Sequence, residues 1–238
     1  DSDDYLDADC LLKLTESART ADSDVVFCGC DFVSESGSVL RSYESRYSYL
    51  DEPEAGPAVL QRVFTERVLI CPGNSIFRRA LLADFDISFK KGRVIAEDLE
   101  FEFKALFHSR IVSSVPESLF FYVQRADSVT STVDLGKRFQ GMDVLFDVLK
   151  YFKSQEQLSN VQTTAVHSLE TYMIPLGLAG IFGSLSADGY PLEDLRRIFK
   201  ERSDYREALG KFENVPNANL ASRRKLQIYL LRSAPSVY

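Results

Sequence analysis

The sequence predicts an α/β region followed by a mostly helical one, and three observations carry that prediction. Short apolar runs of strand character fall at residues 25–32, 111–115 and 119–123, separated by stretches of helical periodicity. From Leu135 onward the periodicity is helical nearly throughout. The charge changes at the same place: before Gly136 acids exceed bases by about ten, and after it bases exceed acids by about three. The expected organisation is therefore 1–134 and 135–238.

The elements follow in order. Residues 6–20 read as a helix that Asp7 or Asp9 can cap, with Leu11, Leu12 and Leu14 opening an apolar face. The run Val25-Val26-Phe27-Cys28-Gly29-Cys30-Asp31-Phe32 reads as a buried strand, and Ser34-Glu35-Ser36-Gly37-Ser38 as a turn. Residues 39–49 hold a short strand and then a loop, which continues through Asp51-Glu52-Pro53-Glu54-Ala55-Gly56-Pro57 to a helix over 58–66. Pro72-Gly73 interrupts regular structure before a short helix ending near Leu82. Residues 85–89 are extended, and Lys90-Lys91-Gly92 is a turn. Leu99, Phe103 and Leu106 share one face of a helix over 99–108. The helical region is expected at 139–152, 161–173, 192–202 and 220–231.

Composition excludes several classes. With 238 residues, 45% hydrophobic and 26% charged, the chain has globular proportions and can bury a sizeable core. A net charge of -7 argues against nucleic acid as the main partner. Four cysteines do not make a disulfide scaffold. Cys28 and Cys30 read as buried thiols, which suits a reducing cytoplasm. The longest apolar stretch, 173–185, contains Pro175, Gly177, Gly180 and Gly183, and is shorter than the roughly 20 residues a membrane span needs. The phosphate-loop, nucleophile-elbow and zinc-protease motifs are absent.

Two acidic points and one basic point remain. Asp1 and Asp3 are spaced D-x-D within Asp1-Ser2-Asp3-Asp4, and oxygen ligands so placed suit a hard divalent cation that keeps positions open for phosphate. The same acids would also be favoured simply by a helix N-terminus. Glu97-Asp98 lies at another helix start, where it is either a dipole partner or a general base over a pocket. Arg125 precedes Asp127, Ser128, Thr130 and Ser131, a set that suits phosphate or a solvated loop equally. His108 and His167 have no ligand spacing.

Taken in order, these pieces resemble the family 2 glycosyltransferases of the GT-A type. Asp1-Ser2-Asp3-Asp4-Tyr5-Leu6 resembles the family's D-x-D region. Gly73-Asn74-Ser75-Ile76-Phe77-Arg78-Arg79-Ala80-Leu81-Leu82 resembles an N-K-x-[FY]-R-R-x-L-L segment with serine in the lysine place. Ile87-Ser88-Phe89-Lys90-Lys91-Gly92 with Ala96-Glu97-Asp98 resembles an I-x-F-x-x-G … E-D acceptor motif. Leu119 to Thr130 resembles L-Y-x-Y-x-x-R-x-x-S-x-T.

The resemblance covers residues 1 to about 132, and its implications are residue by residue. The fold would be the C-terminal half of a GT-A fold, with the nucleotide-binding half preceding Asp1, so that this chain alone would be inactive. Asp3, assisted by Asp1, would hold Mn²⁺ or Mg²⁺. Asp98 would deprotonate the acceptor hydroxyl, oriented by Glu97. Arg125 and Ser128 would reach the diphosphate, and Asn74 would line the acceptor side. The reaction would be inverting transfer from a UDP-sugar to a glycan or lipid-linked saccharide, in exopolysaccharide, capsule or cell-wall glycan assembly. The lack of tryptophan removes the Q-x-x-R-W motif of processive members. The basic segment with Arg223, Arg224 and Lys225 suits either a solvated helix face or peripheral contact with the cytoplasmic side of a membrane. Two other readings stay open: a non-catalytic interaction module, and a metal-dependent nucleotidyltransferase.

Overall fold

The computed structural model describes residues 3–65, 67–93, 95–125, 135–213 and 228. Two compact units make up the chain, Asp1–Asp134 and Leu135–Tyr238.

The first unit is built on a five-stranded mixed sheet. Its strands are β1 (Tyr5–Leu6), β2 (Val25–Ser34), β3 (Val39–Arg41), β4 (Ser75–Phe77) and β5 (Val112–Gln124). The order is β1-β5-β2-β3, with β4 also pairing to β2. β2 and β5 run parallel, and the other pairs are antiparallel. From Val25 to Cys30 every residue of β2 is buried, which is why its sequence is a continuous apolar run rather than an alternation. Helix α1 (Cys10–Ala21) packs on β2 and β5, and α2 (Gly56–Phe64) packs on α4 (Glu97–His108). A short helix, α3 (Arg79–Asp84), also meets α4.

Two features differ from the sequence expectation for local reasons. Residues 5 and 6 do not begin the first helix. They pair with Phe121 and Phe120, and Tyr5 stacks on Phe121 at 4.8 Å, a cross-strand aromatic contact that favours extended backbone. The Asp9 amide donates to Asp7 Oδ1 at 2.9 Å, turning the chain before α1 starts at Cys10. Likewise, the two strands expected at 111–115 and 119–123 form one strand. The ladder opposite β2 steps from Val115 beside Cys28 to Ser118 beside Gly29, so Pro116 and Glu117 bulge out. Proline has no N–H for the ladder, and the bulge absorbs that loss. Gly29 makes the bulge possible, because a Cβ there would lie 2.4 Å from Tyr49 Oη and 2.9 Å from Ser118 Cα.

Polar groups fix the sheet's lower end. Asp24 is 3% exposed and takes a bidentate pair from Arg110, at 2.9 and 3.2 Å, plus the Arg110 amide at 2.8 Å. Arg78 adds an ion pair at 2.9 Å. One carboxylate therefore ties the start of β2 to the segments leading into β5 and α3.

The second unit is helical: α5 (Leu135–Lys153), α6 (Asn160–Ser168), α7 (Ile174–Ala187), α8 (Leu192–Glu201) and α9 (Ser203–Gly210). A π-helical turn, Leu169–Met173, joins α6 to α7 without a break. Pro175 follows at once and cannot donate, and the wider turn accommodates the missing bond. The glycines of 173–185 thus sit inside α7. Close packing accounts for Gly177, where a Cβ would lie 3.0 Å from Met142 Sδ. Ser159 and Gln162 form a reciprocal capping box that starts α6. Phe139, Phe182, Phe199 and Tyr205 form the aromatic core, with Phe182 stacked on Phe199 at 4.2 Å. Among the described residues no helix is long and apolar enough to cross a membrane. The basic residues Arg223, Arg224 and Lys225 lie outside the described residues.

Candidate active site

A cleft of about 570 Å³ opens in the first unit, and the chain brings four segments to it. Leu6 of β1 and Asp4 just before that strand contribute, and β5 contributes Phe120 and Tyr122. The turn before β4 contributes Cys71, Pro72 and Gly73. The fourth wall is Phe89 with the first two residues of α4, Glu97 and Asp98. Strand alternation explains the first pair: residues 4 and 6 share a face, as do 120 and 122. The β1–β5 pairing sets Leu6 beside Phe120, and the Val123 amide donates to Asp4 Oδ1 at 2.9 Å. Gly73 is required at its wall, since a Cβ there would lie 2.5 Å from the Phe120 ring.

The acidic wall is held by a strained turn. Ala96, which precedes α4, has φ 57° and ψ 25°, the left-handed region that non-glycine residues avoid. Such conformations persist where the surroundings over-determine them. The turn puts Glu97 and Asp98 on the helix N-terminus, where the peptide dipoles favour ionised carboxylates. Asp98 Oδ1 accepts the Leu99 amide at 2.8 Å. Glu100 is buried but satisfied, by Arg93 at 2.7 Å and Lys104 at 2.7 Å. Glu102 is 1% exposed, and burial, with the Asp98 charge adding to it, pushes its carboxyl well above the usual carboxylate range. Burial also pushes the Cys71 thiol up, to about 11, with Glu102 and Asp98 contributing.

The other sequence-predicted residues fall around this cleft in different ways. Asp3 Oδ2 lies 3.2 Å from Arg125 Nε. Glu35 Oε1 is 3.9 Å from the same nitrogen. Asn74 does not line the cleft. It is fully buried, donating to the Cys28 carbonyl at 2.7 Å and the Leu69 carbonyl at 3.1 Å and accepting the Cys71 amide at 2.7 Å. Its amide is spent on backbone, so it shapes the wall at Cys71 instead of offering a group to an acceptor. Asp1 and Ser128 lie outside the described residues. Among the described residues no three His, Cys, Asp or Glu side chains converge as a ligand set.

Sequence reasoning missed Asp4, Phe89 as a cleft wall, and Glu102. Period-2 alternation after a short strand assignment at residues 5–6 would have separated Asp4 from Asp3. A glutamate between Phe101 and Phe103 was the signal for a buried acid.

No protein-family model matches the sequence, and no curated protein matches it either. Solved structures do. The crystal structure of S. aureus TarS 1–349 in complex with UDP-GlcNAc is similar with a TM-score of 0.62 at 17% identity, over 99% of this chain and 60% of that one. TarS 1–349 in complex with UDP gives 0.56 at 18%, over 99% and 59%. A further crystal structure of S. aureus TarS gives 0.55 at 17%, over 100% and 37%. The chain thus spans about 60% of the TarS 1–349 structure that holds UDP-GlcNAc. At such identities the likeness speaks to fold alone: the chain shares the α/β fold, followed by helices, of part of those structures.

Proposed function

We propose that the chain is the acceptor-side part of a glycosyltransferase that moves a sugar from a nucleotide-sugar, a UDP-sugar, to a glycan or lipid-linked saccharide in cell-wall or other surface polysaccharide assembly. The observation that carries the reading is the cleft that brings Asp4, next to β1, together with Glu97 and Asp98 of α4. The likeness to TarS supports it, because structures of that protein hold UDP-GlcNAc and UDP.

In this reading Asp98 is the general base. Its carboxylate takes the proton of an acceptor hydroxyl as that oxygen bonds to the anomeric carbon, while the bond from that carbon to the diphosphate breaks. Attack from the face opposite the leaving group inverts the configuration. Glu97 orients Asp98 or the acceptor, and Arg125, with Ser128, reaches the diphosphate. Asp3, assisted by Asp1, would hold Mn²⁺ or Mg²⁺. Both would offer carboxylate oxygens, the ligand type that a hard divalent cation takes, and Asp3 has a cationic partner in Arg125. When bound, the cation supplies neutralisation of the leaving diphosphate. The segment with Arg223, Arg224 and Lys225 would bring the enzyme to an anionic cytoplasmic membrane face.

The test is Asp98→Asn in the full protein, with UDP release and UDP affinity measured together. Transfer should fall by about 10³-fold or more, as loss of a general base does, while UDP binding with Mn²⁺ stays within about twofold. Normal turnover by the variant would sink the base assignment. Release of pyrophosphate instead of UDP would favour the nucleotidyltransferase reading. Absence of any nucleotide affinity in the full protein would favour the non-catalytic one.

A further inference from the structure

We propose that Glu102 is a positioning residue for Asp98: seated one helical turn further along α4, behind the cleft wall, its carboxyl backs the Asp98 carboxylate and holds it in register with the cleft. The proposal rests on the reading of Asp98 as the base. Four observations carry it. Glu102 is 1% exposed, and its Oε1 has no hydrogen-bond partner among the described residues. It stands at i+4 from Asp98, the spacing at which side chains of one helix face meet. Asp98 lines the cleft together with Cys71, so the residue one turn further along the same helix face lies next to that wall. Finally, Phe101 and Phe103 flank it in sequence, a setting in which an apolar side chain would cost nothing.

The contrast with Glu100 sharpens the point. Two residues away on the same helix, that glutamate is buried with two cations on it, Arg93 and Lys104. Among the described residues no such partner serves Glu102. The titratable groups acting on it are Asp98 on its own helix and Cys71 on the turn before β4. Arg62 of α2 is engaged with Glu54 at 2.6 Å, and Arg79 and Asp84 of α3 are exposed to solvent. Burial and the Asp98 charge both favour the neutral form of Glu102. In that form it adds no second negative charge beside Asp98 and has an O–H that it can donate to a carboxylate.

The experiment compares Glu102→Gln and Glu102→Ala in the full protein, reading kcat, donor KM, the pH profile of kcat/KM and thermal midpoint. Glutamine keeps the size, the neutrality and a donor, so it should rescue turnover to within about threefold of wild type, with the acid limb of the profile unmoved. Alanine should lower kcat by about tenfold or more with donor KM unchanged, at a temperature where circular dichroism shows it folded. Alanine retaining wild-type kcat would overturn the proposal. So would an acid limb that moves to lower pH in the glutamine variant, since that shift means a charged Glu102 had been raising the Asp98 pKa. Should alanine fail to fold, Glu102→Leu replaces it with the same expectations. Full activity of Asp98→Asn would instead defeat the base reading itself, whatever the Glu102 variants do.

Discussion

Arg125 Nε lies 3.2 Å from Asp3 Oδ2, so the residue that follows β5 is paired with an acid two residues before β1. The two residues come from the two ends of the first unit's sequence, and the antiparallel β1–β5 pairing is what brings them together. Both were singled out on the sequence for the same ligand, a metal-bound diphosphate. If both serve that ligand, their contact means that the guanidinium and the carboxylate have each other as an alternative partner.

The Arg125 side chain is about half exposed (52%), so the pair contributes at most about 1 kcal/mol to stability. Arg125→Ala should therefore leave the thermal midpoint nearly unchanged. If the guanidinium serves the diphosphate, the same change should weaken UDP binding about tenfold or more, because charge-assisted hydrogen bonds to phosphate are strong. Calorimetry with UDP and Mn²⁺ on the full protein checks this. Wild-type UDP affinity in the variant would remove Arg125 from the donor side.

Asp24 is the structural counterpart. Burial alone would raise its carboxyl, but the Arg110 hydrogen bonds and the Arg78 charge outweigh burial and hold it below the ordinary value. A depressed carboxylate contributes fully above its unfolded pKa of 3.8, and that contribution is lost as pH falls through the depressed value. Asp24→Asn should cost about 2–3 kcal/mol at neutral pH, because it leaves two guanidinium groups short of a partner although both can turn to water. Urea unfolding at pH 7 and again near pH 3 tests it, and the gap between variant and wild type should shrink at the lower pH.

His108 governs a different window. Burial lowers its pKa to about 4, and its ring stacks on Phe85 at 3.9 Å. The unfolded chain takes up this proton near the ordinary value of 6.5 and the folded chain only near 4, so stability is full above 6.5 and declines as pH falls between those values. His108→Phe keeps the stack and removes the titration. Its stability should be flatter than wild type from pH 6.5 down to 4, measured by denaturant midpoints. An identical slope in both proteins would show that other groups set that limb.

Much of this frame was legible in the sequence because it depends on short-range pattern. β2 declared itself as a continuous apolar run, and α4 by Leu99, Phe103 and Leu106 on one face. The change of character at Leu135 was visible in both periodicity and charge. What failed to show depends on partners distant in sequence. β1 is two residues long and exists only because Phe120 and Phe121 pair with it. β5 runs through a proline because Gly29, far away in sequence, leaves room for the bulge. α7 contains residues that disfavour helix, and packing in the second unit overrides them. The site divides the same way. Glu97-Asp98 was readable as an acidic helix start, whereas Asn74 looked like a ligand-side amide until its three backbone partners were in view.

Ala96 offers the most direct check on how the acidic wall is held. Its left-handed backbone costs an L-residue roughly 1–2 kcal/mol and glycine almost nothing. Ala96→Gly should therefore stabilise the fold, although part of the gain is offset because glycine has more freedom to lose from the unfolded chain. A net gain of about 0.5–1 kcal/mol corresponds to about 1–4 °C in thermal midpoint for a protein of this size. Ala96→Val should act in the opposite sense, since a β-branched side chain is a genuine outlier at positive φ. Turnover separates structure from function here. Asp98 is two residues on, so forcing the turn out of its conformation with valine should lower kcat at a temperature where the variant is still folded. Glycine should preserve kcat only if the rest of the wall, not the Ala96 backbone, holds the carboxylate in place. A glycine variant that is both more stable and several-fold slower would show that the strained turn itself aims the base, and a valine variant with wild-type stability would show that the turn carries no strain.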